Sequence, residues 1–457
     1  QWELKNYFNQ LYTKEKYTWG IRLYIRYTHC PASLTVAHRN LPILFADNML
    51  IANCIYHRNE LSSPDNISEN TYRTVIGQTH ESILAEYEEM NTGNAYTDNV
   101  LYGMRKINGV NYQLTGGFCG ELSSVKQENA YSAHSYSFYT VPRIEWERND
   151  FLFTAATTVR WSHLPKQSYS RFCVSPFFCF RYKFTPRWKM SLLGSLDESE
   201  GGLKDIYPFR YREDYRTVVK HTGKVPVTVR QLYTCYLEYK NTIKEFFWTL
   251  SASYSHNRYN LITERNYKDG NFYLSSVERN HSSHSYTLNT IGSKGIYDWN
   301  LKTSLELTLA RNEGKQLNEG IVQDYRYDYL CIEPKIVWAP SVFFEAEYKA
   351  TVSCVGGGIG EDTSLDPLWE VAQRLTLSLE FHDTEFRLSG EHFYNDLSKN
   401  QHLNIWLADV SLIHKVGKWR FAASAINLFN KEQYRYTLYS AVQSYTSWIK
   451  LRPREFM

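Results

Sequence analysis

The residues with the best credentials for chemistry are carboxylates, histidines and arginines that fall close together in the chain. Glu345 and Glu347 stand two apart, a spacing open to general acid–base work. On an extended strand the same spacing places two charges on one hydrated face. His281 and His284 fall in a polar stretch with no third ligand nearby, short of what a zinc site needs. Gly356-Gly357-Gly358-Ile359-Gly360 is glycine-rich but lacks the G-x-G-x-x-G spacing and the following helix of a phosphate loop, and reads as an external loop. Serine, histidine and aspartate are plentiful without the context of a nucleophile elbow. The eight cysteines (Cys30, Cys54, Cys119, Cys173, Cys179, Cys235, Cys331, Cys354) are scattered with no CxxC pair, a poor zinc set. Cys173 and Cys179 can bridge only if the chain folds back between them. No catalytic residue, metal or cofactor is expected, and the chain does not read as an enzyme.

One cluster suits binding better than catalysis. Tyr207, Phe209, Tyr211 and Tyr215 alternate with Arg210, Arg212 and Arg216. Phenol rings and guanidinium groups together can grip a sugar, a peptide or an anionic chelate. Tyrosines packing against their neighbours in an interfacial loop would give the same string. Tyr434, Tyr436 and Tyr439 admit the same two readings.

The elements that must carry these residues are strands. In 301–309, Leu301, Leu305, Leu307 and Leu309 oppose Lys302, Ser304, Glu306 and Thr308; in 375–382, Leu375, Leu377, Leu379 and Phe381 oppose Thr376, Ser378, Glu380 and His382. The segments 249–255 and 342–352 repeat the pattern. Strict alternation of this kind is a half-buried strand, and helical spacing would scatter the leucines over conflicting faces. Short turns are expected at Asn149–Asp150, Thr185–Arg187, Asn241–Lys244, Ala339–Ser341, His382–Glu385 and Val416–Lys418. Longer polar connections are expected over 198–230, 258–283, 311–327, 354–372 and 430–455. Short turns on one side and long loops on the other are the layout of an outer-membrane barrel.

Composition agrees. The chain has 37 Tyr, 23 Phe and 12 Trp in 457 residues, and tyrosine and tryptophan favour positions with one apolar and one wet end. Formal charge is 51 − 48 = +3, which gives no single-sign field for nucleic acid. No apolar run approaches the ~18 to 20 residues of a spanning helix. Barrel strands escape that test because they average to a polar hydropathy. The start, QWELKNYFNQLY, has no signal-peptide pattern. A soluble sandwich or solenoid would also show alternating strands. Charges inside long strands (Glu306, Glu345, Glu347, Lys349) and aromatics near strand ends (Trp161, Trp188, Trp299, Trp338, Trp419) favour lipid outside and a hydrated lumen within.

The C-terminal stretch carries a resemblance. Asn427, Leu428, Phe429 and Asn430, followed by Arg452, Pro453, Arg454, Glu455 and Phe456, resemble the end of TonB-dependent outer-membrane receptors of the Bacteroidota type. There an Asn-Leu-Phe-Asn motif ends the penultimate strand and an Arg-Pro-Arg-Glu-Phe motif enters the last one. Asp214-Tyr215-Arg216-Thr217 and Pro31-Ala32-Ser33-Leu34-Thr35-Val36 look like segments of the same group. The resemblance implies an all-β, transmembrane antiparallel β-barrel occupying 1–457, partial at roughly 16 to 20 of the 22 strands usual for plugged transporters. It implies import of a nutrient across the bacterial outer membrane, with ligand contacts from external loops: Tyr207, Arg210, Tyr211, Arg212, Tyr215, Arg216, Tyr434 and Tyr436. The partners it implies are outer-membrane lipid, a plug domain and TonB, with a surface lipoprotein lid in the glycan importers, and no nucleic acid. Against the family pattern, nothing in the chain resembles the plug domain, which would lie before Gln1, and the final strand is expected to be essentially missing at Met457; the chain alone is therefore expected to be inactive. A plugless porin or structural outer-membrane barrel, and a secreted, soluble β-rich binding or adhesive protein, are the competing readings.

Overall fold

The computed structural model describes the backbone of residues 2–14, 17–39, 49–58, 68–77, 83–126, 130–212, 217–268, 271–360, 363–398, 401–440, 443–451 and 453–456, with side chains chiefly from residue 98 onward. Alternation in sequence becomes strand after strand. In order these are β1 (Trp2–Lys14), β2 (Tyr17–Arg39), β3 (Met49–Arg58), β4 (Ser68–Gly77), β5 (Ile83–Ile107), β6 (Val110–Lys126), β7 (Ala130–Arg148), β8 (Phe151–Leu164), β9 (Tyr169–Lys183) and β10 (Trp188–Glu200). After them come the short β11 (Tyr211–Arg212) and β12 (Thr217–Lys220), then β13 (Val227–Asn241), β14 (Phe246–Lys268), β15 (Asn271–Ile296), β16 (Leu301–Asn318), β17 (Ile321–Ser341) and β18 (Phe344–Ile359). The series ends with β19 (Thr363–Phe381), β20 (Thr384–Ser398), β21 (Gln401–Val416), β22 (Trp419–Ile426), β23 (Gln433–Ser440), β24 (Gln443–Lys450) and β25 (Glu455–Phe456).

Twenty-three of these belong to one large, mainly antiparallel sheet, and β23–β24 form a separate hairpin. Each strand pairs with its neighbours in the chain, except where β3–β4, the β11–β12 segment and the β23–β24 hairpin are set between consecutive members. The fold class expected from the alternation is therefore present. Among the described residues the only helical turns are three short 3-10 segments, and no helix is long and apolar enough to cross a membrane.

Register turns the alternating pattern of each strand into a continuous apolar band. Leu288 lies opposite Leu309, Leu309 opposite Leu330, and Leu330 opposite Cys354. Further along, Ala346 faces Leu377, Leu377 faces Leu388, and Leu388 faces Val410. On β16 the apolar positions run from Leu301 to Leu309, and Arg311 and Glu313 follow on the same face. That is about 27 Å of strand at 3.4 Å per residue, the length a tilted strand needs to cross an apolar layer.

The two faces differ in exposure in a direction opposite to a water-soluble sheet. Leu305 on the apolar face is 51% exposed and Phe172 64%. On the other face the small residues Ser162, Thr234, Ser255, Cys331, Ser353 and Ser389 are all buried. That second face also carries charges, several of them paired: Lys335–Glu347 at 3.1 Å, Lys189–Glu238 at 2.7 Å, Arg374–Glu391 at 3.3 Å and Arg143–Glu145 at 2.9 Å. Aromatic rings collect at the short-turn end of the apolar band, where Trp188 packs on Tyr239 and Trp248, and Trp338 on Phe344.

Several expected boundaries move. The turn placed at Ala339–Ser341 lies at Val342–Phe343, because β17 runs through Ser341. The connections expected over 258–283, 311–327 and 354–372 are mostly strand: β14 and β15 extend to Lys268 and from Asn271, β16 and β17 meet at residues 319–320, and β18 reaches Ile359. These stretches are polar and Tyr-rich, which hides them from a search for apolar alternation. Their backbone ladders continue all the same, since pairing requires no apolar face. The glycine-rich segment is likewise strand as far as Ile359, with Gly356, Gly357 and Gly358 opposite Asp328, Tyr327 and Arg326. The long connection at 201–226 is present, folded as described below.

Candidate functional site

The polar end of the sheet is organised by a break in one ladder. Between β14 and β15 the register shifts after Tyr259↔His281, resuming at Leu261↔Glu278. Asn260, Arg279 and Asn280 thus fall at a bulge, a device that bends strands and re-aims side chains. Below the bulge, β15 pairs with β16. Above it the partners exchange: β15 takes β12 in parallel at Thr217↔Phe272 through Lys220↔Ser275, and β14 takes β16 at Glu264↔Leu317. The upper hairpin has therefore turned over relative to the sheet. Ile262, Leu317, Val218 and Val219 are buried around it.

The 201–226 connection fills in beside this hairpin. Ile206 is fully buried in a cluster with Ala133, Leu164 and Val225, against which Tyr131 and Tyr169 pack. Asn260 staples the end of the connection to the bulge: its Oδ1 accepts from Val227 N at 2.7 Å and its Nδ2 donates to Val225 O at 2.9 Å. Lys224 pairs with Glu278 across the same junction.

Between these parts lies a cleft of about 910 Å³ lined by Tyr169, Arg171, Glu198, Arg258, Tyr259, Asn260, Arg279, His281 and Lys315, among others. Arg171 donates twice to Glu198 Oε2, at 2.8 and 3.2 Å; that bond is the main reason its guanidinium is held more firmly protonated than usual. Burial, reinforced by the Glu200 carboxylate, pushes the Tyr169 phenol up to about 12. The Tyr259 and His281 rings stack with centroids 4.8 Å apart, and burial holds the His281 imidazole below its ordinary value. The cleft thus combines neutral rings with fixed positive charge. It can hold an anion.

A larger concavity of about 1110 Å³ spreads over the apolar band past Leu192, Tyr233, Leu288 and Leu309. The charges at its edge are engaged with one another, Arg311 and Arg326 both pairing with Asp328, at 2.6 and 3.0 Å. It reads as surface relief between band side chains.

Of the ligand residues expected from sequence, Tyr207 and Tyr211 stay together, with ring centroids 6.0 Å apart. Tyr207 is buried, its ring 5.6 Å from Tyr131 and 5.5 Å from Phe209. Arg210 is exposed with its guanidinium over the Tyr273 ring at 5.3 Å. The Tyr211 hydroxyl lies 3.3 Å from His221, which reaches Ser276 at 3.1 Å. Arg212, Tyr434 and Tyr436 are placed by backbone alone, in β11 and β23. Tyr215, Arg216 and Arg452 lie outside the described residues. Glu345 and Glu347 share the charged face, and Glu347 is paired with Lys335. His281 and His284 sit in β15, His284 against Tyr254 at 2.9 Å and opposite His256. Among the described residues no group of three or more His, Cys, Asp or Glu could hold a metal, and Cys173 and Cys179 are free thiols in one strand.

The C-terminal motif proves to be one local structure. Asn427 and Asn430 both take left-handed backbone angles, φ 54° and 51°, a region asparagine tolerates better than most residues. Asn427 is buried, accepting from Lys431 N at 2.9 Å and donating to Lys431 O at 2.8 Å. Asn430 Oδ1 accepts from Arg454 N at 3.0 Å, and Ala425 and Ile426 then pair with Phe456 and Glu455. The two halves of the motif, distant in sequence, thus close on each other.

No protein-family model matches the chain, and no curated protein matches it. Among solved structures, the ferric yersiniabactin uptake receptor of Yersinia pestis is similar over 96% of this chain and 67% of that one, at 10% identity and a TM-score of 0.41. A likeness that loose carries no weight for what this chain does.

Proposed function

We propose that the chain is the membrane-spanning barrel portion of a TonB-dependent outer-membrane transporter that imports a nutrient ligand. The observation that carries the membrane half is the register-matched apolar band, exposed on one face while the opposite face holds paired charges. Closed into a barrel, such a sheet would satisfy its backbone internally and meet the hydrocarbon with leucine and aromatic side chains. The transporter half is supported by the resemblance at the C-terminus, where Asn427, Asn430, Arg454 and Glu455 act as one turn. On this reading the barrel seals against lipid, a plug domain elsewhere in the protein meets TonB, and the polar end captures ligand.

Fractionation tests the membrane half. The chain expressed with an export signal is expected in the outer-membrane fraction, extractable only with detergent; recovery from the soluble periplasm or medium without detergent overturns it. The transporter half is tested by the reading frame upstream of Gln1. A plug-encoding segment there supports import, and a frame beginning at the barrel points to a porin.

A further inference from the structure

The cleft at the turned-over hairpin holds more positive charge than the chain supplies anions to balance. Of its lining residues Arg171, Arg258, Arg279 and Lys315 are cationic, and Glu198 is the one carboxylate. Glu198 is committed to Arg171, and Lys315 is paired with Asp324 at 3.4 Å. Among the described ion pairs and hydrogen bonds, none engages the guanidinium of Arg258 or Arg279. Arg279 is placed by the bulge, and Arg258 by the last rungs before it, where Arg258 faces Ser282. The rest of the lining supplies hydrogen-bond donors and flat rings: Tyr259 stacked on His281, Tyr169, and Asn280. Guanidinium groups offer paired N–H donors that match carboxylate and phosphate oxygens.

We propose that this cleft binds a small polyanion bearing carboxylate or phosphate groups, gripped chiefly by Arg258 and Arg279 with Tyr259 and Tyr169 as its walls. Calling the polyanion cargo rests on the transporter reading above; binding itself requires only the cleft. Binding leaves the Arg171–Glu198 bond in place and neutralises the two free guanidinium groups.

The test is titration calorimetry on the full chain in detergent, with citrate, pyrophosphate and maltotriose as probes. Citrate or pyrophosphate, or both, are expected to bind and maltotriose not to, and which anion binds identifies the oxyanion. Arg258→Gln and Arg279→Gln should each weaken binding about tenfold, the loss of one charged hydrogen-bonding contact. Arg258→Lys should retain more affinity, keeping charge without the paired donors. Heat-modifiable gel migration of each variant reports folding. Should a variant misfold, protection of arginine in the unaltered chain from phenylglyoxal by the anion replaces it. Absence of binding by both anions overturns the proposal, as does undiminished binding in both folded glutamine variants or absence of protection. A chain that fractionates as a barrel yet binds neither anion overturns this inference alone; a chain soluble without detergent overturns the barrel reading, and the titration still decides the cleft.

Discussion

At the scale of single residues, the most informative positions are those where only one side chain suits the backbone. Asn430 combines a left-handed conformation with a bond to Arg454 N. Asn430→Ala loses both and should cost about 1–3 kcal/mol, read as a lower denaturant midpoint in detergent. Asn430→Gly keeps the conformational freedom and loses only the bond; recovery of most of the stability would assign the effect to backbone. Gly357 is a stricter case. Its φ is +147°, and an added Cβ would lie 2.0 Å from Arg326 O, in a region open to glycine almost alone. Gly357→Ala should destabilise the β17–β18 pairing by on the order of 1–3 kcal/mol from strain, with the clash added. Loss of amide protection at Tyr327 and Gly358 before the rest of the sheet would show it; uniform protection would place the glycine's role elsewhere. Neither effect is visible in composition. The motif around Asn430 is legible as a string, but its meaning lies in a turn that brings residues 24 apart into contact.

At the scale of elements, the strands were legible where alternation pairs leucine with charge and illegible where both faces are polar. The 301–309 and 375–382 segments show their period openly, whereas the upper halves of β14 and β15 read as loop until their ladder is seen. Arg258 and Arg279 are hidden for that reason: they lie in a stretch whose polar sequence reads as connection, and a bulge leaves no signature in one sequence. Tyr207 illustrates the converse, since an aromatic residue in a polar loop looks the same whether it meets ligand or, as here, packs against Tyr131. The bulge also predicts a response to pH. Burial depresses the His281 pKa below its ordinary 6.5, with Arg258, Arg279, Lys315, Arg171 and Glu198 lining the same cleft. The unfolded hairpin therefore takes the proton first, so the contribution of neutral His281 is complete above about pH 6.5 and fades as pH falls through the lower folded value. Hydrogen exchange over residues 271–278, corrected for intrinsic rates, should quicken between about pH 7 and pH 5. His281→Gln should remove that dependence, and its persistence in the variant would place the titrating group elsewhere.

At the scale of the whole molecule, the distribution of apolar surface decides the solvent. Among the described residues 49 large hydrophobic side chains are exposed, against 16 buried hydrophobic ones. A water-soluble protein of this size would bury most of that set, and patches far smaller mark interaction surfaces. If hydrocarbon is the missing partner, the two faces must respond oppositely to charge. Leu305 on the exposed band and Lys335 on the paired face lie one residue out of register across β16 and β17, Leu305 opposite Pro334. Leu305→Lys should cost about 2–4 kcal/mol when folding is measured in lipid vesicles, because the ammonium must be desolvated near mid-bilayer. Lys335→Gln should cost about 1 kcal/mol or less, since it loses one partly exposed ion pair with Glu347 in a hydrated lumen. A soluble sheet with its apolar face against another protein domain would show little penalty for Leu305→Lys when the chain is studied alone. The asymmetry between these two substitutions therefore reads out which face meets lipid, independently of any assignment of cargo.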